Sequence, residues 1–178
     1  QSPRRPSHDC RRCNSLHSTL RILFFGNSHT ALNDLPGLVS NMFQSDGVHQ
    51  RCVTRFEPCP FLTEVDLDAA QRVVGQGWDF VVLQGALLSS SHQYKYDNSR
   101  AVSLAKLAGE SGAKVLFFAE WPRRGWDESD WQYQSYRDIF GPKATIVDVA
   151  HIFDQVKNRT GYDLWQPDGN HAKLAGTY

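Results

Sequence analysis

The stretch Arg21-Ile-Leu-Phe-Phe-Gly-Asn-Ser-His-Thr30 decides the fold. Ile22 to Phe25 is apolar and aromatic without a charge, the pattern of a buried strand. Gly26-Asn27-Ser28 breaks the run. Asp34 and Pro36 then supply an N-cap and a first-turn proline, which start a helix at Leu35. A serine on the turn leaving a central strand lies at the carboxyl edge of a parallel sheet, beside backbone N–H groups. Open α/β sheets place their ligand crevice there. Ser28 is therefore the residue for which the rest of the chain must supply partners.

Working outward, Leu35, Leu38, Val39 and Met42 recur at helical spacing and predict a helix to about Gln44. Val48–Phe56 reads as a strand, stopped by the rigid turn Glu57-Pro-Cys-Pro60. A helix from Val65 ends near Gly75-Gln-Gly77. Asp79–Gln84 is the clearest buried strand, and a polar loop, Ser89–Asn98, leads into helix Ser99–Glu110. Strand Lys114–Ala119, the aromatic-basic loop Trp121–Trp126, helix Ser129–Phe140, strand Ala144–Val147 and helix Val149–Lys157 follow. Strands and helices alternate with no hairpin signal, so the expected architecture is a three-layer α/β/α sandwich around a parallel five-stranded sheet. The chain stops as a new helix begins after His171. Since such a sheet needs a final helix over its open face, the expectation is a missing or truncated C-terminal helix.

Forty per cent hydrophobic and 21% charged residues suit one soluble globular domain, and zero formal net charge disfavours a phosphate-tracking nucleic-acid binder. No apolar run approaches a membrane span. Residues 1–19 carry Arg4, Arg5, Arg11 and Arg12 against one acid, Asp9, and read as an arm or linker before a domain at 20–178. The arm holds His8-Asp-Cys10-Arg-Arg-Cys13-Asn-Ser-Leu-His17. Zinc could take two Cys and two His, but no second Cys-x-x-Cys supports a finger, and disulfide or free thiol is the expectation. Cys10, Cys13, Cys52 and Cys59 allow two disulfides in three connectivities; a local Cys52–Cys59 bridge would brace the Pro58-Cys59-Pro60 turn. The even cysteine count and the opening Gln1, expected of a processed or trimmed chain, point to a secreted or periplasmic location, with the cytoplasm as the alternative.

A serine hydroxyl needs a base to take its proton, and the base needs a third group to orient it. Asp168 and His171, three apart in one loop, can converge on Ser28 as orienting acid and base. The oxyanion donors open to such a site are the Ser28 N–H, a backbone N–H of the Glu57–Phe61 turn, and the Gln84 amide. His29, Trp121 and Arg123 are candidate substrate contacts, with Arg124 and Trp126 in the same loop. His92 reads as solvated. A metal site from His29, His92, Asp168 and His171 lacks ligand spacing, so no metal and no cofactor are expected.

These blocks, Gly26-Asn-Ser28-His-Thr30, Val81-Val-Leu-Gln84 and Asp168-Gly-Asn-His171 in the setting Asp-Gly-x-His-x-x-x-x-Gly-x-Tyr, resemble the SGNH/GDSL hydrolases from about Arg21 to Tyr178. The resemblance implies a flavodoxin-like sandwich and metal-free hydrolysis of acyl esters, with Ser28 as nucleophile, His171 as base, Asp168 as orienting acid and Gln84 in the oxyanion hole. It implies a small-molecule or carbohydrate ester as substrate. The sequence departs from the pattern at Pro58-Cys59-Pro60, where relatives have a glycine; only Cys59 retains an N–H there. That departure, with the C-terminal helix expected to be missing or truncated, favours as the alternative a catalytically silent carbohydrate- or ligand-binding domain on the same fold; an acyltransferase would use the same residues as the hydrolase.

Overall fold

The computed structural model describes residues 19–45 and 51–178. The arm with Cys10 and Cys13, its possible zinc ligands, and the start of the strand expected at Val48 lie outside the described residues. Five strands, β1 (Leu20–Gly26), β2 (Cys52–Pro58), β3 (Phe80–Leu83), β4 (Lys114–Ala119) and β5 (Thr145–Asp148), form one sheet in the order β2-β1-β3-β4-β5, every pair parallel. This order belongs to doubly wound flavodoxin-like sheets, whose switch point lies between the first and third strands. The helices are α1 (Ser28–Ala31), α2 (Leu35–Ser45), α3 (Leu67–Val74), α4 (Ser99–Glu110), α5 (Ser129–Phe140), α6 (Val149–Thr160) and α7 (Leu174–Thr177).

Alternation along each strand splits the core in two. Leu23, Phe25, Val81, Leu83 and Phe117 point to one face, where Ala70, Leu104 and Tyr136 of three helices meet them. Ile22, Phe24, Val82 and Phe118 point to the other, packed with Phe153, Leu164 and Trp165. Leu23, Leu62 and Leu83 are wholly buried, each worth roughly 1.5–3 kcal/mol. On the second face an apolar groove of about 310 Å³ runs beside Leu35, Val39 and Val149, with Gly176 and Thr177 of α7 at its edge. No helix among the described residues is long and apolar enough to cross a membrane.

Two expectations need correction. The strand expected to stop at Phe56 runs through Pro58, because an edge strand tolerates a proline whose missing N–H has no ladder partner to lose. Cys52 and Cys59 are both free thiols. They stand at opposite ends of β2, and an extended strand of that length separates them by about 20 Å, far beyond disulfide reach.

Candidate active site

β1 ends at Gly26, and Asn27 caps α1 by accepting the His29 N–H at 2.9 Å. Ser28 is then the first helical residue, a position whose N–H has no partner within the helix. The tight turn requires Gly26: a Cβ there would lie 2.4 Å from Thr30 Oγ1 and 2.8 Å from Gln84 Oε1. Gln84, wholly buried just past β3, ties the turn together. Its Oε1 accepts the Asn27 N–H at 3.0 Å and the Thr30 hydroxyl at 2.6 Å. Its Nε2 donates to Asn27 Oδ1 at 2.8 Å and to Glu120 Oε1 at 2.5 Å.

The loop after α6 brings the second half of the site. Ser28 Oγ donates to His171 Nε2 at 2.8 Å, and His171 Nδ1–H donates to Asp168 Oδ2 at 2.6 Å. Asp168 Oδ1 accepts the backbone N–H groups of Asn170 and His171 at 2.9 and 3.0 Å. Those backbone bonds, led by Asn170 and joined by the His171 ring, hold the Asp168 carboxyl down at about 2. It is therefore ionised at neutral pH and can keep the proton of His171 on Nδ1. Gly169 takes a left-handed φ of 69°, which closes the Asp-Gly-Asn-His turn.

His29 is buried behind His171, its ring 4.9 Å from that of His171 and stacked 4.9 Å from Trp121. Asn170 Nδ2 donates to its Nε2 at 3.2 Å, and Nδ1, without a hydrogen-bond partner, faces Glu120 at 3.7 Å. Burial lowers the His29 pKa against the opposing pull of Glu120, so the ring is neutral at neutral pH.

Several expected site residues have other employment. The Cys59 N–H donates to Gly26 O at 2.7 Å, continuing the β1–β2 ladder, so it does not face Ser28. The Gln84 amide spends both donors on Asn27 and Glu120. Of the three expected oxyanion donors, the Ser28 N–H alone remains uncommitted. Trp121 is buried and its indole N–H supports the Asn170 carbonyl at 2.7 Å. Arg123 lies 4.2 Å over the Trp126 ring and pairs with Glu128. His92, expected to be solvated, donates to Glu128 at 2.8 Å and stacks on Trp131 at 3.8 Å. No cluster of three potential metal ligands occurs among the described residues.

A cavity of about 360 Å³ is lined by Asn27 and His29, the chain neighbours of Ser28, and by Glu120, Trp121, Arg123 and Asn170. A shallower depression holds Ser28, Leu32, Pro167 and His171 themselves. Sequence reading missed Asn27, Glu120 and Asn170. Glu120 and Asn27 each follow a strand end, the one signal that could have marked them.

No protein-family model matches the sequence, and no curated protein aligns with it significantly. Solved structures do match. A protein of Slackia heliotrinireducens described as an SGNH hydrolase superposes with a TM-score of 0.65 at 23% identity, over 89% of this chain and 93% of that one. A lipase/acylhydrolase from Enterococcus faecalis gives 0.64 at 18%, over 89% and 90%. The acetyl xylan esterase AlAXEase gives 0.62 at 16%, over 89% and 94%. The chain has the α/β/α fold of the SGNH/GDSL hydrolases.

Proposed function

We propose that the protein is a serine ester hydrolase working through an acyl-enzyme. The observation that carries this reading is the unbroken relay Ser28 Oγ–His171–Asp168, with contacts of 2.8 and 2.6 Å. Ser28 Oγ attacks the ester carbonyl carbon as its proton passes to His171 Nε2, and Asp168 balances the imidazolium that forms. The Ser28 N–H, at the head of α1, faces the oxygen that becomes charged. The carbon–oxygen bond to the alcohol then breaks, and the leaving oxygen takes the proton from His171. Water attacks the acyl-enzyme carbonyl carbon as its proton passes to His171; the bond to Ser28 Oγ then breaks, Ser28 Oγ takes that proton back from His171, and the acid is released. A small acyl group on a carbohydrate is the substrate class we favour, since one structural neighbour is an acetyl xylan esterase.

The test is turnover of p-nitrophenyl acetate by the wild type and by Ser28→Ala, with folding checked by circular dichroism. The expected result is loss of at least a thousandfold in kcat in the variant. Equal turnover by both proteins would reject Ser28 as nucleophile.

A second reading, a ligand-binding domain with little or no turnover, is favoured by one observation: Cys59 N–H and the Gln84 amide are both engaged elsewhere. Each missing oxyanion donor costs on the order of a hundredfold or more in rate. Labelling with a fluorophosphonate separates the readings. A labelled Ser28 supports the hydrolase, and an unlabelled wild type supports the binding domain.

A further inference from the structure

The cavity lined by Asn27 and His29, on either side of Ser28 in the chain, has an inner wall that the relay does not use. Glu128, immediately before α5, and Gln132 and Tyr136 within it are spaced by four, so they rise one above another on a single helix face. All three are buried, 2%, 8% and 2% exposed, and all three line the cavity. Glu120, leaving β4, lines it too. A helix on a sheet ordinarily turns an apolar stripe inward, and a buried polar atom without a partner is destabilising. Glu128 is satisfied by Arg123 and His92. The Gln132 Oε1 has no partner at all. Glu120 accepts a hydrogen bond, from Gln84, on Oε1, while its Oε2 lies 3.7 Å from the nearest basic nitrogen, His29 Nδ1. Burial, and after it the charge of Glu120, keep the Tyr136 phenol protonated and able to donate.

We propose that this wall binds a hydroxyl-rich group of the substrate, a sugar ring, and disfavours a fatty acyl chain. The inference rests on the ester-hydrolase reading and deepens it. Sugar hydroxyls can donate to the Glu120 carboxylate and accept from Tyr136, and a turn of the Gln132 side chain toward the cavity would give its enclosed, unpaired Oε1 a donor. Phe61 and Trp131, also on the cavity wall, offer apolar ring surface to the C–H faces of the same sugar. A methylene chain would leave every one of these polar groups unmatched.

The experiment compares kcat/KM on a mono-O-acetylated methyl xyloside, p-nitrophenyl acetate and p-nitrophenyl octanoate for the wild type, Gln132→Leu and Tyr136→Phe. The expected result is a fall of roughly tenfold in the ratio of xyloside to p-nitrophenyl acetate in each variant. The wild type is expected to hydrolyse the octanoate no better than the acetate. A ratio unchanged within twofold in both variants, or a preference for octanoate, overturns the proposal. Tyr136→Phe keeps the test open should Gln132→Leu fail to fold. Binding of the acetylated xyloside to Ser28→Ala, followed by saturation-transfer NMR at millimolar sugar, reads the wall without turnover. Binding that weakens in Ser28→Ala/Tyr136→Phe sustains this inference even if the wild type hydrolyses nothing, and no binding to Ser28→Ala overturns it.

Discussion

Asn27 and Gln84 show how much of the Ser28 geometry is set one residue away from it. The Gln84 amide makes four hydrogen bonds inside a fully buried site, two to Asn27, one to Thr30 and one to Glu120. Gln84→Leu strands the Asn27 N–H, the Thr30 hydroxyl and a Glu120 oxygen. We expect it to cost about 3 kcal/mol or more in urea unfolding. A loss below about 1 kcal/mol would mean that water replaces the amide. Cys59 is the opposite case, a residue whose expected part in the chemistry disappears. Its buried thiol is pushed up to about 11, and its N–H serves the sheet. Iodoacetamide at pH 7.5 should therefore leave the folded protein unmodified at Cys59, and, on the proposed hydrolase reading, dithiothreitol should leave turnover of p-nitrophenyl acetate unchanged. Rapid native labelling at Cys59 would contradict this.

Among the elements, the loop after β4 acts as a clamp on the loop that carries Asp168 and His171. The Arg124 N–H donates to Gly169 O at 2.8 Å, and its guanidinium donates to Trp165 O at 3.1 Å and Gln166 O at 3.0 Å. Asp163 holds the same guanidinium through both oxygens at 3.0 and 2.9 Å. Trp121 and Trp165 close the clamp with indole bonds to Asn170 O and Pro122 O. Arg124 touches neither Ser28 nor His171, so it is a positioning residue. On the proposed reading, Arg124→Ala is expected to lower kcat on p-nitrophenyl acetate roughly tenfold with little change in KM, because orientation of His171 is what loosens. Arg124→Lys should recover part, since the side-chain contacts converge on one guanidinium nitrogen, Nη2, whose charge an ammonium can replace opposite Asp163. A rise in KM at constant kcat would instead mark Arg124 as a binding residue.

At the scale of the whole molecule, zero formal charge leaves pH stability to individual pairs, and Glu128 is the clearest of them. Burial raises its pKa, but the Arg123 guanidinium and N–H and the His92 ring outweigh burial, and the net shift is downward. A carboxyl lowered by folding contributes its full stability above the unfolded value of about 4.5, and loses it as pH falls through the folded value. The urea midpoint of the wild type should therefore fall as pH drops from 5 toward 3, and Glu128→Gln should flatten that slope. An identical slope in the variant would assign the acid sensitivity elsewhere.

The sheet was legible in advance because its evidence is local. Apolar runs such as Ile22–Phe25, Val81–Leu83 and Val115–Ala119 are too long and too uncharged to lie outside a core, and their alternation with helical periods allows few topologies. Helices Ser99–Glu110 and Ser129–Phe140 also lie where the periodicity places them. The meeting of Ser28 with Asp168 and His171 was expected because a three-residue spacing lets one turn carry both side chains toward a common point, and the loop after α6 supplies that turn.

Hydrogen-bond allocation was not legible. Whether the Cys59 N–H faces a ligand or Gly26 O depends on how far β2 continues beside β1, and the free ends of the Gln84 amide depend on Glu120, distant in sequence. The sequence marks a helix at Ser129–Phe140, and packing against the sheet is what turns Glu128, Gln132 and Tyr136 toward a cavity. Sequence alone therefore determined the layers, the strand edge and the order of the reactive groups, because these follow from periodicity and apolar content. Tertiary structure decided which donors and acceptors remain free for a substrate, because each buried polar group has few partners and takes whichever the fold brings within 3 Å.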